Sequence, residues 1–278
     1  MIKIGFLGPS GTYSEMAVNK YTHAQKKKFK KIADSSFLDL FEGLTNNEYD
    51  EIIIPVENSI EGAINVNEDL LVQEKTANII AEIQLPIIVN LMALPGTSIN
   101  DITDLYSHAQ PLAQCREYIH TKLKNAHSHA IASTALAAQK IQKEQKKNTA
   151  ILGNDTLADQ YNLICLDKSI NNTANNITRF IILGTTETTP TDQDKTSIIF
   201  STPKDQPGSL YNVLEEFKNM NINLTRITSR PTKDTLGEYL FYVDFEGHIQ
   251  SPQIKNMMSA IKPKCSFFKW LGSYSKIQ

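Results

Sequence analysis

The sequence predicts an α/β fold in two parts, because the pattern of strands and helices changes once along its 278 residues. Over residues 1–185, short apolar strands alternate with helical patterns, which is typical of a largely parallel sheet covered by helices. Residues 185–194 are polar and aperiodic, so they are predicted to be a linker. Residues 195–278 follow the order β-α-β-β-α-β, which predicts a ferredoxin-like domain of one sheet and two helices.

The helices predicted in the first part follow from apolar residues at helical spacing. Between Phe37 and Leu44 such residues recur at i, i+3, i+4 and i+7, and Ser36 precedes them as a capping residue. A second helix begins near Pro111, which suits a first turn, and a third covers the alanine-rich residues 134–143. The strands predicted here are 2–8, 29–34, 50–56, 79–94, 104–107, 149–153 and 179–184.

One predicted strand, 79–94, is long and apolar with Pro86 in its middle. It is either a single buried strand or a segment that crosses from one lobe of the body into another. The strand at 179–184 would then return the chain to the first lobe. Two such crossings predict a two-lobed body with a cleft between the lobes.

The second part shows the same agreement between apolar pattern and element order. A helix carrying Leu210 to Met220 follows Pro207 and Gly208, and a turn is predicted at Pro231–Gly237. The remaining elements are strands 196–201, 222–229, 238–246 and 265–271 and a helix at 252–261.

Composition and charge exclude several classes of protein. With a formal net charge of −2, the chain has no global positive field that would attract nucleic acid. No apolar run approaches the ~18 residues of a membrane span, and the chain opens on a predicted strand, so neither a membrane partner nor a secretory signal is expected. Cys115, Cys165 and Cys265 lie far apart, which favours reduced thiols in the cytosol.

The segment from Gly8 to Glu15 follows the first strand and is predicted to bind a small anion. Its two glycines are spaced G-x-x-G, and Pro9 lacks the backbone donor that a dinucleotide pyrophosphate would need. Hydroxyl groups and free N–H groups at a helix start suit a carboxylate instead, and a purely structural turn is the alternative. The candidate binding residues here are Ser10, Thr12, Tyr13 and Ser14.

Polar residues also follow other predicted strands. Glu57, Asn58 and Ser59 come at the end of strand 50–56, and the carboxyl ends of strands are where α/β folds bind ligands. Asn58 or Ser59 alone would equally suit a helix cap. Further candidates at strand ends or helix starts are Ser107, His108, Gln110, Ser133 and Thr134.

Two of the candidates would carry chemistry rather than binding alone. His108 suits a general acid, with a capping or core role as the alternative. Arg179 suits a fork-like clamp for a carboxylate, with an ordinary ion pair as the alternative. His127 and His129 would lie on one face of a strand, but no third ligand suggests itself, so no metal is expected.

The ordered set of motifs resembles the prephenate dehydratase family over essentially the whole chain. The motifs that carry the resemblance are Gly-Pro-x-Gly-Thr-Tyr-Ser at 8–14, Pro-Val-Glu-Asn-Ser-Ile-Glu-Gly at 55–62, Ser-His-Ala-Gln-Pro-Leu-Ala-Gln-Cys at 107–115, Ser-Thr-Ala at 133–135 and Asn-x-Thr-Arg-Phe at 176–180. Segments 208–211 and 223–231 resemble the amino-acid-binding ACT domain attached to those enzymes. The resemblance implies a two-lobed body like that of periplasmic binding proteins and the monofunctional form of the enzyme.

The resemblance also implies an activity. Members of the family remove CO₂ and water from prephenate to give phenylpyruvate, on the route to L-phenylalanine, without cofactor or metal. By resemblance, Thr178 is tied most closely to catalysis, as a hydrogen-bond donor to the leaving hydroxyl with His108 as a possible relay. Arg179 and the candidate hydroxyl groups would orient the two carboxylates, and Phe180 would contact the substrate. Arogenate dehydratase and a non-catalytic sensor are the alternatives.

Regulation is implied by the C-terminal resemblance. L-Phenylalanine is the expected effector, and a homodimer or homotetramer is expected because ACT domains pair with one another. Two positions depart from the family pattern, Ser209 where alanine is usual and Thr228 where glutamate is usual. The implied effector-binding residues are Gly208, Ser209, Leu210, Asn223, Thr228, Ser229 and Arg230.

Overall fold

The computed structural model describes residues 1–203, 206–233 and 237–277, and it is a mixed α/β fold. The strands are β1 (Ile2–Leu7), β2 (Phe29–Asp34), β3 (Glu51–Asn58), β4 (Gly62–Ala63), β5 (Asn78–Pro86), β6 (Asn90–Ala93), β7 (Asp104–Ser107), β8 (His127–Ala130), β9 (Thr149–Gly153), β10 (Ile164–Asp167), β11 (Ile177–Gly184), β12 (Asp194–Ser201), β13 (Leu224–Pro231), β14 (Tyr239–Glu246) and β15 (Phe267–Ile277). The α-helices are α1 (Tyr13–Ala24), α2 (Phe37–Thr45), α3 (Asn65–Gln73), α4 (Ala109–Gln114), α5 (Arg116–Lys122), α6 (Thr134–Glu144), α7 (Thr156–Tyr161), α8 (Ser209–Asn219) and α9 (Pro252–Ile261).

One large sheet runs through both parts of the chain. Among the described residues its order is β13-β14-β12-β15-β5-β11-β3-β1-β2, with β4 paired to β3. The two parts join where the end of β15 pairs in parallel with β5, with Ser275 opposite Ala81. The predicted linker therefore separates the two segments in sequence, while the sheet continues across them.

The second lobe of the body has a smaller sheet of its own, ordered β10-β6-β9-β7-β8. The chain leaves the large sheet after β5 and enters the small one at β6, so the predicted segment 79–94 does cross between lobes. It returns through 168–176, ahead of the predicted return strand, which lies wholly in the large sheet. Asn171 ties the crossings together, because its side chain accepts a hydrogen bond from the Val89 N–H and donates one to the Ile87 carbonyl.

Alternation along the strands builds an apolar core on each face of the large sheet. In β3, Ile52 and Ile54 face α2 and α3, whereas Ile53 faces α1. The core under α2 and α3 also contains Tyr242 and Tyr274 from the C-terminal part. Burial of this shared apolar surface, at roughly 25 cal/mol per Å², stabilises the body and the C-terminal domain as one unit.

Local differences from the predicted elements have physical causes. The helix predicted from Pro111 onward is broken at Cys115, whose backbone is not helical (φ −114°, ψ 17°). Strand β10 was not predicted, because it is an edge strand of four residues, which is too short to show a period. The predicted turn at 231–237 lies partly outside the described residues. No helix in the described ranges is long and apolar enough to cross a membrane.

Candidate active site

A cavity of about 530 Å³ lies between the two lobes of the body, at the carboxyl ends of β1, β3 and β7. This volume is within the usual range for small-molecule sites. Its described lining is mostly apolar, and Glu61 is the one carboxylate or basic side chain besides His108. The predicted residues that it brings together are Thr12, Tyr13, Ser14, Asn58, His108, Gln110, Ser133, Thr134, Thr178 and Phe180.

Two helices of different lobes begin at this cavity. Thr12 caps α1 by accepting a hydrogen bond from the Glu15 N–H, and Ser133 caps α6 by accepting one from the Leu136 N–H. The first N–H groups of each helix are left without partners inside the helix, and they carry the positive end of its dipole. The cavity is therefore bounded by the starts of α1 and α6, one from each lobe, and the N–H groups of a helix start suit an anion.

A chain of side-chain amides runs along the cavity floor and ends at Thr178. Asn58 Nδ2 donates to Thr178 Oγ1 at 3.0 Å and to Asn176 Oδ1 at 2.8 Å. Asn176 Nδ2 donates to Gln114 Oε1 at 2.9 Å, and Gln114 Nε2 donates to Glu61 Oε1 at 3.3 Å. The chain crosses from the first lobe to the second, since Gln114 belongs to α4.

The direction of this chain fixes the Thr178 hydroxyl. Asn58 Oδ1 accepts from the N–H groups of Ile60 and Glu61, so the amide nitrogen of Asn58 must be the group that faces Thr178. Because Thr178 Oγ1 accepts this bond, its own hydrogen is free to point into the cavity. Thr178 is thereby prepared to donate a hydrogen bond to a bound molecule.

His108 lies at the start of α4 on the second-lobe wall of the cavity. Its Nδ1 accepts a long hydrogen bond, 3.4 Å, from the Gln110 N–H. In the neutral ring the proton is then on Nε2, which makes Nε2 a donor. This geometry shows the capping role of the neutral ring, and an acid role would require protonation of Nδ1 and loss of the cap bond.

Tyr13 closes the apolar side of the cavity next to the crossing segment. Its hydroxyl donates to the Ile88 carbonyl at 2.7 Å. Burial, followed by the nearby Cys115 and Asp155, raises the pKa of Tyr13 well above its ordinary value. Tyr13 is thus a neutral structural and contact residue rather than a base.

The two lobes also touch across the loop that precedes α1. Asn154, buried in the second lobe, donates from Nδ2 to the Gly11 carbonyl at 2.8 Å. Gly11 has φ +89°, and a Cβ built there would lie 2.5 Å from Leu157 Cδ2 of α7. The loop before α1 therefore packs closely against the second lobe, and only glycine suits this close approach.

Three predicted binding residues have other roles. Ser107 is fully buried and donates to the Leu152 carbonyl, and Ser59 bridges the Asn175 carbonyl and the Ile177 N–H. Ser10 is exposed outside the cavity lining. The prediction of substrate contacts for these serines is wrong, because their hydroxyls are engaged by backbone or lie outside the cavity.

The predicted clamp at Arg179 is also wrong. Successive side chains of a strand point to opposite faces, so Arg179 faces away from the cavity that Thr178 and Phe180 line. Its guanidinium contacts Glu82, Asp244 and Tyr274 on the C-terminal side of the sheet. Glu57 likewise faces that side rather than the cavity.

Some cavity residues were missed by the sequence analysis. Glu61 lines the cavity and was part of the motif at 55–62, but it was not chosen as a candidate binding residue. Asn176 belongs to the chain of amides that ends at Thr178, and it was part of the motif at 176–180. Gln114 follows Gln110 by four residues, and this helical spacing puts both amides on the same face of α4. Among the described residues, no group of three or more His, Cys, Asp and Glu side chains is arranged to hold a metal ion.

A second cavity, of about 310 Å³, lies in the C-terminal domain beside the start of α8. Gly208, Ser209 and Leu210, predicted to bind the effector, line it together with Tyr211 and Phe241. Its remaining described lining is Thr202, Gln206, Gly237, Glu238 and Tyr239.

The other predicted effector residues lie outside that cavity. Thr228 donates to Glu68 and Arg230 to Asp69, so within this chain both side chains face α3 of the body. Asn223 donates to Glu246. Ser229 is exposed and pairs in register with Phe241, so its side chain points to the same face of the sheet as the cavity.

Family models match both parts of the chain. The model described as prephenate dehydratase matches residues 4–188, and the model described as ACT domain matches residues 196–258. The prephenate dehydratase of Methanocaldococcus jannaschii is 38% identical over 269 residues, which cover 96% of this chain and 95% of that protein. Arogenate dehydratase 3 of Arabidopsis thaliana is 36% identical over 293 residues, which cover 98% of this chain and 67% of that protein.

A solved structure is similar over the same extent. The crystal structure of prephenate dehydratase from Arthrobacter aurescens, in complex with L-Phe, superposes with a TM-score of 0.89 at 30% sequence identity. The match covers 99% of this chain and 90% of that one, so it includes both lobes and the C-terminal domain.

Proposed function

This chain belongs to the prephenate dehydratase family, and we propose that it converts prephenate into phenylpyruvate, CO₂ and water. The observation that carries the proposal is the Thr178 hydroxyl, oriented by Asn58 to donate into a cavity that two helix starts make favourable to anions. This arrangement matches a substrate with two carboxylates and one departing hydroxyl.

Negative charge moves across the substrate during this reaction. The bond from the ring carbon to its carboxylate breaks, its electron pair shifts through the ring, and the bond to the hydroxyl oxygen breaks as the ring becomes aromatic. The carboxylate leaves as neutral CO₂, and the charge appears on the leaving oxygen, which takes a proton to become water. Hydrogen-bond donors at the leaving oxygen therefore lower the barrier, because they interact most strongly in the transition state.

Thr178 is the proposed donor to that oxygen. A threonine hydroxyl is a poor acid, so the proton itself is assigned to the imidazolium form of His108, which gives up its Nε2 proton directly or through one water and returns to the neutral ring. In that form Nδ1 is also protonated and no longer accepts the bond from the Gln110 N–H. The apolar wall that contains Phe180 surrounds the ring and excludes water. A cation beside the ring carboxylate would stabilise the substrate and slow the reaction, because this carboxylate loses its charge when it leaves as CO₂. The described lining of the cavity contains no arginine or lysine.

The helix starts are proposed to hold the substrate. The start of α1 and the start of α6 approach from opposite lobes, and each offers backbone N–H groups and hydroxyls to a carboxylate. Binding across the cleft would favour the closed arrangement that Asn154 and Gly11 already make. Tight positioning of this kind is a recognised contribution to rate.

Two alternatives differ in chemistry. Arogenate carries an ammonium group in place of the keto oxygen, and a carboxylate such as Glu61 would pair with it if the side chain of the substrate lay nearby. A pure sensor would bind prephenate without turnover. Kinetics on prephenate and arogenate side by side decide among the three: we expect higher kcat/KM on prephenate, whereas preference for arogenate or turnover of neither would overturn the proposal.

L-Phenylalanine is the proposed effector, bound at the cavity beside α8. Support comes from the lining by Gly208, Ser209 and Leu210 and from the adjacent aromatic ring of Phe241. Strand β13, which carries Ser229, is an exposed edge of the sheet and can pair with a second copy of the chain. We therefore also propose a homo-oligomer, in which Ser229 of one copy lies beside the effector cavity of the other. A cytosolic location is supported by three cysteines that form no disulfide.

A further inference from the structure

Strands β3 and β11 each present neighbouring residues to two different sites. Asn58 and Thr178 are opposite one another in the ladder and line the substrate cavity. The residues just before and after them, Glu57 and Arg179, are also opposite one another, but they face the C-terminal domain. One backbone step therefore separates the proposed catalytic pair from an interdomain pair.

Arg179 is bound on three sides in a nearly closed environment. Its Nε donates to Glu82 Oε2 at 2.8 Å, its Nη1 to Asp244 Oδ2 at 2.5 Å and its Nη2 to the Tyr274 hydroxyl at 2.7 Å. Glu82 belongs to the body, but Asp244 and Tyr274 belong to β14 and β15 of the C-terminal domain. Ser197 of β12 donates to Asp244 at 2.5 Å and so extends the contact into a third strand of that domain.

The electrostatics of this cluster favour charged partners. Burial acts to lower the pKa of Arg179, but Asp244, Tyr274 and Glu82 outweigh it and raise that pKa well above its ordinary value. Burial alone would raise the pKa of Asp244, but the charges of Arg179 and Arg226 outweigh burial, and the pKa is lowered. A buried, paired and hydrogen-bonded charge cluster tolerates little displacement of its members.

Glu57 makes a looser contact, because 37% of its side chain is exposed. Its Oε2 lies 3.3 Å from Arg226 Nε on β13 and 3.9 Å from Arg179 Nη1. Arg226 also binds the buried carboxylate of Glu68 on α3. Arg179 is thus hydrogen-bonded to strands of the C-terminal domain, whereas Glu57 only lies within ion-pair distance of one of them.

We propose that Arg179 is a positioning residue, which sets the place of the Thr178 hydroxyl by holding β11 to the C-terminal domain. The inference rests on the proposed function for its kinetic consequence. Adjacent residues of a strand share a peptide plane, so a shift of Arg179 moves Thr178 with it. A displacement of about 1 Å at a reacting group costs on the order of 100-fold in rate.

The same link gives the C-terminal domain a route to the active site. A ligand that moves β14 or β15 relative to the body would pull on Asp244 or Tyr274, and through Arg179 on Thr178. This route passes through side chains that touch neither substrate nor effector cavity.

The test compares two Asp→Asn changes that each remove one carboxylate from an arginine contact between the domains. Asp244→Asn acts on the cluster behind Thr178, whereas the matched control Asp69→Asn acts on α3, where Asp69 pairs with Arg230 and Lys233 and with no residue of β3 or β11. We expect Asp244→Asn to lower kcat on prephenate about 10-fold to 100-fold with KM within about threefold, because substrate binding is unchanged and only the hydroxyl is misplaced. Asp69→Asn should keep both constants near wild type.

A double-mutant cycle adds a readout that general destabilisation would not give. Arg179→Gln should lower kcat about as much as Asp244→Asn, and the double variant should lose no more than the worse single variant. If Arg179→Gln fails to fold, Asp244→Asn carries the test, since Arg179 keeps Glu82 as a partner. Wild-type kcat in Asp244→Asn, or an equal loss in Asp69→Asn, would overturn the inference.

Amide hydrogen exchange tests the same link without activity. Asp244→Asn should raise exchange in peptides covering Ile177–Gly184 and Glu51–Asn58, and Asp69→Asn should leave both peptides unchanged. If wild-type protein does not consume prephenate but this exchange pattern appears, the proposed function fails and the link between the domains stands. If turnover is found and the exchange pattern is absent, the link fails and the function stands.

Discussion

A single-atom exchange at Asn58 should reverse the hydrogen bond that orients Thr178. In the wild type, Asn58 Nδ2 donates to Thr178 Oγ1 at 3.0 Å. In Asn58→Asp an oxygen replaces this nitrogen, while Oδ1 still accepts from the N–H groups of Ile60 and Glu61. The Thr178 hydroxyl would then donate to the new carboxylate and have no hydrogen left for the leaving oxygen. Side-chain size is unchanged, so the cavity keeps its shape.

The magnitude follows from the loss of one donor. Removing a hydrogen bond made to a developing oxyanion costs about 10²–10³ in kcat, or roughly 3–4 kcal/mol. We therefore expect kcat on prephenate to fall by that factor, with KM changed by less than about threefold, since the helix starts still bind the carboxylates. Initial rates of phenylpyruvate formation, measured on protein whose circular dichroism matches wild type, give both constants.

A pH series separates reversal of the bond from simple damage. Asn58 is 3% exposed, so a carboxyl group there is desolvated and its pKa is raised. Lowering the pH would protonate it, restore a donor toward Thr178 and bring kcat of the variant closer to that of the wild type at the same pH. The surface change Asn148→Asp is the control and should have no effect. Wild-type kcat in Asn58→Asp would refute the proposed orientation of Thr178.

Two further changes probe other parts of the account. Gly11→Ala places a side chain on a residue with φ +89°, at a cost of about 1–2 kcal/mol, and directs its Cβ towards Leu157. The variant should therefore separate the loop from α7 and raise KM for prephenate about tenfold. An unchanged KM would count against the loop as a binding element. The folded-state pKa of Asp244 is lowered, so its stabilising contribution is present above about pH 4 and is lost as pH falls further. Urea unfolding midpoints should therefore fall less steeply below about pH 4 in Asp244→Asn than in wild type, and parallel curves would contradict this.

Local patterns were sufficient to predict the elements and the place of the cleft. The strand ends after β1 and β3 lie together because these strands are parallel neighbours in the large sheet, and the end of β7 and the start of α6 line the same cavity from the second lobe. The family resemblance drawn from the motifs is confirmed by the matches over both parts of the chain.

The errors arose where a residue's partner is distant in sequence. Thr178 and Arg179 were both predicted to face the substrate, although alternation along a strand puts neighbours on opposite faces. The partner of Arg179 at Asp244 is 65 residues away, and no local signal announces it. The pairing of β15 with β5 is equally non-local, so the sequence analysis separated two domains that share a sheet and a core.

The central claim is that the Thr178 hydroxyl assists departure of the hydroxyl group from prephenate. The most direct measurement is the single-turnover rate of phenylpyruvate formation by wild type and by Thr178→Val, which keeps the shape of the side chain and removes only its hydroxyl. We predict turnover by wild type and a rate about 10²–10³ lower in Thr178→Val, with prephenate affinity within about threefold. A Thr178→Val rate equal to wild type, or no phenylpyruvate from wild type itself, would contradict the account.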